Sequence, residues 1–397
     1  MASDTSEKKY AAFIHCDNLE NDIIVTAIDL KTLKQIRSYF EVIPAKDVKK
    51  FINDIPSKFG DFKSIILSLF GFQSKDFKNN FEFRNAVRAK LQLTNARYQF
   101  IKIGTMLLSV PLYASGINLN VSENVVTATL INSNFEILNF EFTGNGYLLS
   151  DTQSIPYDEN DNVKNIREKL CSKYNPKELI INADMDDRKK FEKMNNAHFV
   201  TCSCYVLTEF TAKLMADYSK WMLDKSSVKT LMVPLIDNQY VFSKFLGDKQ
   251  HDEGLVANDK QILPFAKTLL LPKSKCAYAV VCQDRYVQKP VILLVIQNTN
   301  GNIAVMDVST FPEPSVERIN QNEKYHGIKF TLEIDINNFP TFTFRPMILK
   351  GIKILPQTLD DKKLKTKVPV IGFFGNLSVI CVSKNGGNYE FLKDWGG

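Results

Sequence analysis

Residues 125–142 read VVTATLINSNFEILNFEF, two runs of β-branched and aromatic residues on either side of the turn-forming Asn132-Ser133-Asn134. The composition predicts a β-hairpin with strands at 125–131 and 135–142. Both runs are nearly continuous in β-branched and aromatic residues, the types that strands favour.

A similar hairpin is predicted earlier in the chain, from apolar runs at 11–15 and 22–29 joined by a polar turn. Each hairpin is followed by a helix and a short buried strand, at 45–59 and 64–70 after the first and at 163–174 and 178–182 after the second. Further helices are predicted at 84–93, 102–116, 186–194 and 206–223. The first 225 residues therefore contain two successive hairpin-then-α/β units.

Beyond Lys229 the helical period disappears and short strand patterns recur, separated by proline and Gly-Asn turns. The predicted strands are 231–235, 276–282, 291–296, 303–308, 328–336, 341–344, 368–374, 377–382 and 389–392. This pattern indicates an antiparallel β domain over 230–397, joined to a first domain over 1–225.

Charge and hydropathy point to no particular partner. The 397 residues carry 50 Lys and Arg against 44 Asp and Glu, a net charge of +6 that is small for a nucleic-acid binder. The longest apolar stretch, 101–119, is interrupted by Lys102 and Pro111, so we expect no membrane span. The first residues lack the features of a secretory signal, and we expect a cytoplasmic or nuclear protein.

The residues of catalytic and metal centres do not occur here in the usual patterns. The seven cysteines are an odd, scattered set, and the closest pair, Cys202 and Cys204, lacks zinc-knuckle spacing. His15 and Cys16 are adjacent on a predicted strand, which puts their side chains on opposite faces. Asp186-Asp187 and Asp360-Asp361 lie among lysines and are typical of helix-start or loop charges. We therefore predict no catalytic residue, no metal site and no cofactor.

Two hairpin-then-α/β units followed by a β domain resemble the seventy-kilodalton heat-shock chaperones. The segment FRNAVRAKLQLTNARYQFIKIGTMLLSVPLYASGINL (83–119) resembles the family's helix, short strand and small-residue helix before the second hairpin. The segment LEIDINNF (332–339) resembles a landmark of the family's peptide-binding sandwich. The resemblance implies an actin-like, duplicated ribonuclease-H-like α/β domain followed by an all-β sandwich that binds peptides.

Departures from this family concentrate where it holds nucleotide. Phosphate cradles need glycines that bring backbone N–H groups close to the ligand. The first cradle is matched by 16–20, CDNLE, and the second by 129–134, TLINSN, and neither contains a glycine. Leu107 stands in place of the glutamate that orders the attacking water, and Asn182-Ala183 in place of the glycine pair beside adenosine. The resemblance therefore implies an actin-like domain that has lost nucleotide chemistry.

We expect a non-catalytic, chaperone-like scaffold that binds a protein partner or peptide segment. By position, the family's apolar peptide groove corresponds to Tyr278, Val281, Val291 and Leu293, although these residues would equally suit the core of a β-sandwich. After residue 339 the chain continues with strands instead of the family's long helical lid.

Three alternatives remain open from the sequence. One is an ATP-binding or ATPase chaperone with a rebuilt cleft, and another is a nucleic-acid-associated scaffold that uses the basic excess. The third is a nuclease related through the ribonuclease-H-like sheet, which would use several acids on adjacent strands. Asp17 and Glu20 are available for that role, but Thr129 and Asn182 occupy the other positions.

Overall fold

The chain forms two compact units, residues 1–234 and 235–397. The division falls a few residues beyond the boundary predicted near residues 224–230. The computed structural model describes residues 9–17, 21–201, 209–227, 231–246, 249–258, 261–272, 277–283, 291–299, 302–307, 315–319, 327–347, 370–374, 377–384 and 388–396.

The first unit contains two mixed sheets. The strands of the first sheet are β1 (Tyr10–Cys16), β2 (Ile23–Asp29), β3 (Lys34–Gln35), β4 (Glu41–Ile43), β5 (Phe62–Ser68) and β6 (Arg97–Phe100). Their order is β3-β2-β1-β5-β6, and β4 also pairs with β2. The β1–β2 hairpin is antiparallel, whereas β5 is parallel to both β1 and β6. The first predicted hairpin is therefore confirmed, and its first strand lies at the centre of the sheet.

The second sheet repeats this plan. Its strands are β7 (Asn124–Ile131), β8 (Asn134–Phe142), β9 (Tyr147–Pro156), β10 (Glu178–Asn182) and β11 (Ala197–Val200). The order β11-β10-β7-β8-β9 again places the first hairpin strand at the centre, with two parallel strands on one side and antiparallel strands on the other. The second hairpin and the strand at 178–182 are confirmed.

Six helices of this unit lie in the described part of the chain. They are α1 (Val48–Phe59), α2 (Asn80–Leu91), α3 (Ile103–Ser115), α4 (Val163–Cys171), α5 (Arg188–Phe191) and α6 (Glu209–Leu223). The side chain of Asn79 caps α2, and α3 ends at Gly116, whose φ of 62° suits glycine. The helix predicted over 186–194 was wrong in length. A 3-10 turn at Met185–Asp187 precedes a helix of only four residues, because three aspartates between 184 and 187 favour a turn.

Helix α6 returns to the first sheet after the chain has completed the second. Its buried Tyr218 and Trp221 share one apolar cluster with Phe13 of β1, Ile66 of β5 and Met106 of α3. Because α3 also packs on the second sheet through Leu112, the two halves share this helix.

The segment leading out of the first unit follows the edge of β9. The Tyr147 N–H donates to the Leu231 carbonyl at 2.9 Å, and the Val233 N–H donates to the Tyr147 carbonyl at 2.9 Å. The Met232 N–H donates to Ser109 Oγ on α3 at 3.2 Å. The strand predicted at 231–235 was therefore wrong. Only an isolated parallel bridge, Tyr147 to Met232, forms here, and Leu235 makes a separate bridge in the second unit.

The second unit consists of antiparallel sheets. The described strands are β12 (Gln239–Leu246), β13 (Lys249–Ala257), β14 (Phe265–Pro272), β15 (Ala277–Gln283), β16 (Val291–Thr299), β17 (Asn302–Asp307), β18 (Ser315–Ile319), β19 (Gly327–Ile334), β20 (Pro340–Met347), β21 (Val370–Phe374), β22 (Leu377–Lys384) and β23 (Asn388–Gly396). Their sheet orders are β13-β12-β15-β16-β17-β18, β14-β19-β20 and β21-β22-β23. Phe242 on β12 and Phe330 on β19 connect the six-stranded sheet with the β14-β19-β20 sheet, and their ring centroids are 5.7 Å apart.

The segment LEIDINNF forms the end of β19 and the turn into β20. Asp335 Oδ1 accepts hydrogen bonds from the backbone N–H groups of Asn337 and Phe339. Asn338 has a φ of 62°, and its side chain bonds the Asp237 N–H at 2.8 Å and the Leu235 carbonyl at 3.2 Å. This turn therefore fixes the first residues of the second unit.

Candidate functional site

The tip of the first hairpin and the loop after β5 lie at one edge of the first sheet, because β1 and β5 are parallel and end together. The side-chain amide of Asn21 joins them, since its Nδ2 donates to the Gln73 carbonyl at 2.5 Å. Its Oδ1 accepts from the Gln73 N–H at 3.0 Å. One asparagine thus binds the loop as a neighbouring strand would.

Cys16 makes a second connection between the hairpin and this loop. Burial raises the pKa of the Cys16 thiol, and a hydrogen bond with the backbone of Gly71 acts in the opposite direction. His15 lies on the other face of β1 and stacks on Phe13, with ring centroids 4.9 Å apart. Desolvation lowers the pKa of His15. Because neighbouring residues on a strand project to opposite faces, the two side chains point in opposite directions.

A surface depression of about 690 Å³ adjoins this tip. Asn21, Ser74, Lys46 and Lys75 contribute to its walls, together with Asp76. Asp76 is paired with Lys49 at 3.0 Å, and Ser74 Oγ accepts from the Asp76 N–H at 3.2 Å. Hydrogen bonds within the protein therefore already use several of the polar groups around the depression.

The tip of the second hairpin is a two-residue turn. Asn132 and Ser133 have φ values of 48° and 59°, and Ile131 pairs directly with Asn134, as in a type I′ turn. Thr129 on β7 lies beside Asn182 on β10. Neither side chain carries a charge, so this pair offers no carboxylate to a metal-dependent nuclease mechanism.

An acidic segment follows β10 at 184–187. Desolvation, followed by the charges of Asp184 and Asp186, raises the pKa of Asp187. Nearby, Lys190 Nζ donates to the Tyr157 hydroxyl at 3.0 Å and to the Glu159 carbonyl at 2.7 Å. Within the described residues, no group of three or more His, Cys, Asp or Glu side chains is arranged to hold a metal ion.

The residues matched to the peptide groove lie on neighbouring strands of the second unit. Tyr278 and Val281 on β15 are only 5% and 4% exposed, and Tyr278 stacks on Phe242 at 5.3 Å. On β16, Val291 pairs with Cys282, and Leu293 falls at a bulge in the register. The side chains of Val291 and Leu293 lie outside the described residues. The burial of Tyr278 and Val281 favours the alternative that they belong to the core.

Two other sequence predictions fall outside the described residues. These are the close-spaced cysteines Cys202 and Cys204 and the acidic pair Asp360-Asp361.

One surface feature was not predicted from the sequence. Phe40 is 53% exposed and Val42 is 47% exposed, at the edge of the first sheet where β4 pairs with β2. Residues two apart on an extended segment project to the same side, so the two side chains form one apolar patch. Glu41 between them pairs with Lys58. The only sequence signal for this patch is the short apolar run around residue 42.

No protein-family model matches the chain, and no curated protein sequence matches it. Among solved structures, a Bacteroides thetaiotaomicron protein with an actin-like ATPase fold and unknown function is 9% identical, with a TM-score of 0.24. The match covers 54% of this chain and 98% of that one. YeaZ from Pseudomonas aeruginosa is 11% identical over 56% of this chain and 100% of its own, with a TM-score of 0.25.

A glucokinase from an Antarctic psychrotroph is 8% identical, covers 53% of this chain and 98% of its own, and has a TM-score of 0.29. The first unit is a duplicated α/β fold, in which each half places the first strand of its hairpin at the centre of a mixed sheet. Among the described residues, no helix is both long enough and apolar enough to cross a membrane.

Proposed function

We propose that the protein is a non-catalytic scaffold in which an actin-like unit binds a protein partner in place of nucleotide chemistry. The observation that carries this proposal is the set of hydrogen bonds that joins Cys16 and Asn21, on either side of the first hairpin's turn, to the loop after β5. The Asn21 side chain is hydrogen-bonded to both the N–H and the C=O of Gln73, and Cys16 is hydrogen-bonded with the backbone of Gly71. Backbone N–H groups that bind phosphate must be directed at the ligand, and in the loop beside the first cradle those of Gln73 and Gly71 are directed at Asn21 and Cys16 instead.

The second hairpin supports the same proposal. Its turn positions carry the side chains of Asn132 and Ser133, where close backbone approach to a phosphate favours glycine. Leu107, which stands in place of the catalytic glutamate, is a half-buried residue of α3 and has no proton to exchange. Hydrolysis by positioned water would therefore lack its general base.

We further propose that the protein is related to the seventy-kilodalton heat-shock chaperones. Its support is the order of the matching segments in the sequence, from 83–119 to 332–339. In the same proposal, the sheets joined by Phe242 and Phe330 form a β-sandwich without a helical lid.

The patch of Phe40 and Val42 supports the binding of a protein partner. Two large apolar side chains that are each about half exposed on one edge leave water-accessible apolar area that a partner can bury. We expect the partner to present an apolar surface to this patch.

A paired-variant binding experiment tests the proposal. The tagged wild-type chain and a Phe40→Ser, Val42→Ser variant are used to recover partners from a native extract. Leu93→Ser is the matched control, because Leu93 is 70% exposed and lies between α2 and β6, the strand at the opposite edge of the sheet from β4. We expect the double variant to lose a protein that both the wild-type chain and the control retain. Equal recovery by all three chains would contradict the role of this patch.

A further inference from the structure

The outer edge of β9 has backbone groups that pair with no neighbouring strand over most of its length. This ten-residue strand is the last in its sheet and pairs with β8 along one side. On its other side, the segment around Met232 pairs only with Tyr147, at the beginning of the strand. Beyond that bridge, no strand in the described part of the chain pairs with the outer edge.

The turn of the second hairpin determines which groups face outward. Ile131 and Asn134 close a two-residue hairpin and therefore exchange hydrogen bonds with each other. Backbone groups alternate along β8, so those of Phe135 and Ile137 face β9, where they pair with Ile155 and Gln153. It follows that the N–H and C=O groups of Thr152 and Ser154 face away from β8.

The side chains along this edge do not oppose strand pairing. Exposed edge strands are usually protected by lysines, prolines or bulges or by being short. The irregularity of β9 at Ser150 and its terminal Pro156 both lie outside 152–154. Between Leu148 and Pro156 the only charged residue is Asp151, which is held by Lys173 Nζ at 2.6 Å and by the Tyr174 hydroxyl at 2.9 Å. These hydrogen bonds, with a further one from the Thr152 N–H, lower the pKa of Asp151. The exposed side chains Ser150, Thr152 and Ser154 are small and neutral.

We propose that β9 pairs with β9 of a second copy of this chain. A two-fold axis beside Gln153 would place Thr152 opposite Ser154 of the second copy, and Ser154 opposite its Thr152. Because both residues direct their N–H and C=O groups outward, this antiparallel register forms four backbone hydrogen bonds and joins the two sheets into one. The Thr152 N–H would turn from the Asp151 carboxylate to the second copy.

A second copy fits this edge because the edge is complementary to itself. In the proposed register, hydroxyl side chains meet hydroxyl side chains, and no like charges lie opposite each other. Lys173 and Tyr174 leave Asp151 neutralised within its own unit. The inference does not depend on the proposed scaffold function.

Sedimentation equilibrium of the full chain tests the proposal, and we expect a dimer at tens of micromolar. Thr152→Pro removes the outward N–H without touching the bonds to β8, and proline is tolerated at such edge positions. This variant should be monomeric, whereas Thr152→Val, which keeps the N–H, should remain dimeric. A monomeric wild-type chain would overturn the proposal and leave the edge for an extended segment of another protein. A dimer that Thr152→Pro does not weaken would also overturn it.

Charge pairing tests both the register and the identity of the occupant. A Thr152→Lys, Ser154→Lys chain and a Thr152→Glu, Ser154→Glu chain should each be monomeric, because like charges face each other across the axis. An equimolar mixture should form a one-to-one heterodimer. In addition, Gln153→Cys should form an intermolecular disulfide, since two copies of residue 153 meet in a non-hydrogen-bonded pair. Failure of both the mixture and the disulfide would contradict this register.

Discussion

Gly146 holds the exit segment of the first unit against β9, and replacing it by alanine should release that segment. Its φ is 142°, and a Cβ at this position would lie 2.5 Å from the carbonyl oxygen of Leu231. That oxygen accepts the Tyr147 N–H, so the clash cannot be relieved without moving the paired backbone. Leu231 and Met232 are 1% and 3% exposed, and both would be displaced.

The cost of Gly146→Ala combines two effects. Weakening the two backbone hydrogen bonds of Tyr147 with Leu231 and Val233 costs about 0.5 to 1.5 kcal/mol each, and the strained backbone costs on the order of 1 kcal/mol more. We therefore expect a loss of about 2 to 4 kcal/mol in the stability of the first unit. At about 2 to 4 °C per kcal/mol for a unit of this size, calorimetry should show its transition lowered by roughly 4 to 16 °C.

Gly104→Ala is the matched control for this experiment. Gly104 lies in the first turn of α3, and a Cβ there would meet nothing within 4 Å. Alanine should raise stability at this position by about 0.5 to 1 kcal/mol, because it is the better helix former. A Gly146→Ala chain that melts within about 1 °C of the wild type would refute the described contact with Leu231.

Three further predictions concern single side chains. Burial lowers the pKa of His15 below 6.5, so the unfolded chain takes up a proton first and the free energy of unfolding should fall as the pH drops below about 6.5. In denaturant titrations His15→Gln should flatten this pH dependence. An unchanged slope would exclude His15 as its source. Desolvation lowers the pKa of Lys225 to about 8. At pH 8 its amine should therefore react with an acylating reagent roughly tenfold faster than that of Lys220, which is paired with Asp217, as measured by mass spectrometry. Equal rates would contradict the burial of the Lys225 amine. Asn338→Ala should cost about 1 to 3 kcal/mol in the second unit, because it leaves the buried Asp237 N–H without its acceptor; an unchanged midpoint would show that this contact contributes nothing.

The repeated hairpins could be predicted because local signals determine them. At 125–142, β-branched and aromatic runs flank residues that tolerate a positive φ, and the structure has the turn at Asn132 and Ser133. The run at 178–182 is short, apolar and bounded by polar residues, and the strand has those limits. In both cases residue composition and the observed element agree.

The elements missed from the sequence depend on their neighbours. β9 contains Ser150, Asp151 and Gln153, which resemble a loop in composition, and it is a strand because β8 supplies the other half of its ladder. β3 has two residues and β6 and β11 have four each, too few for a periodic pattern to show. Strand pairing across the fold determines these segments.

At the candidate site, too, local features could be predicted from the sequence and long-range contacts could not. The absence of glycine from 16–20 and 129–134 could be read from the sequence. The bonds of Asn21 to Gln73 join residues 52 positions apart, and no local pattern predicts such a contact. The apolar patch of Phe40 and Val42 was missed for a related reason, because an apolar residue on a short edge strand is buried or exposed according to what covers it.

Thermal stability with and without Mg-ATP tests the proposed absence of nucleotide binding most directly. A nucleotide present at about 100 times its dissociation constant would stabilise a binding unit by about 2.7 kcal/mol, or roughly 5 to 11 °C for a unit of this size. We expect millimolar Mg-ATP to leave the melting temperature of the first unit equal to that in magnesium sulfate at the same ionic strength. A reproducible rise of several degrees with Mg-ATP alone would show a working nucleotide cleft and contradict the proposed scaffold.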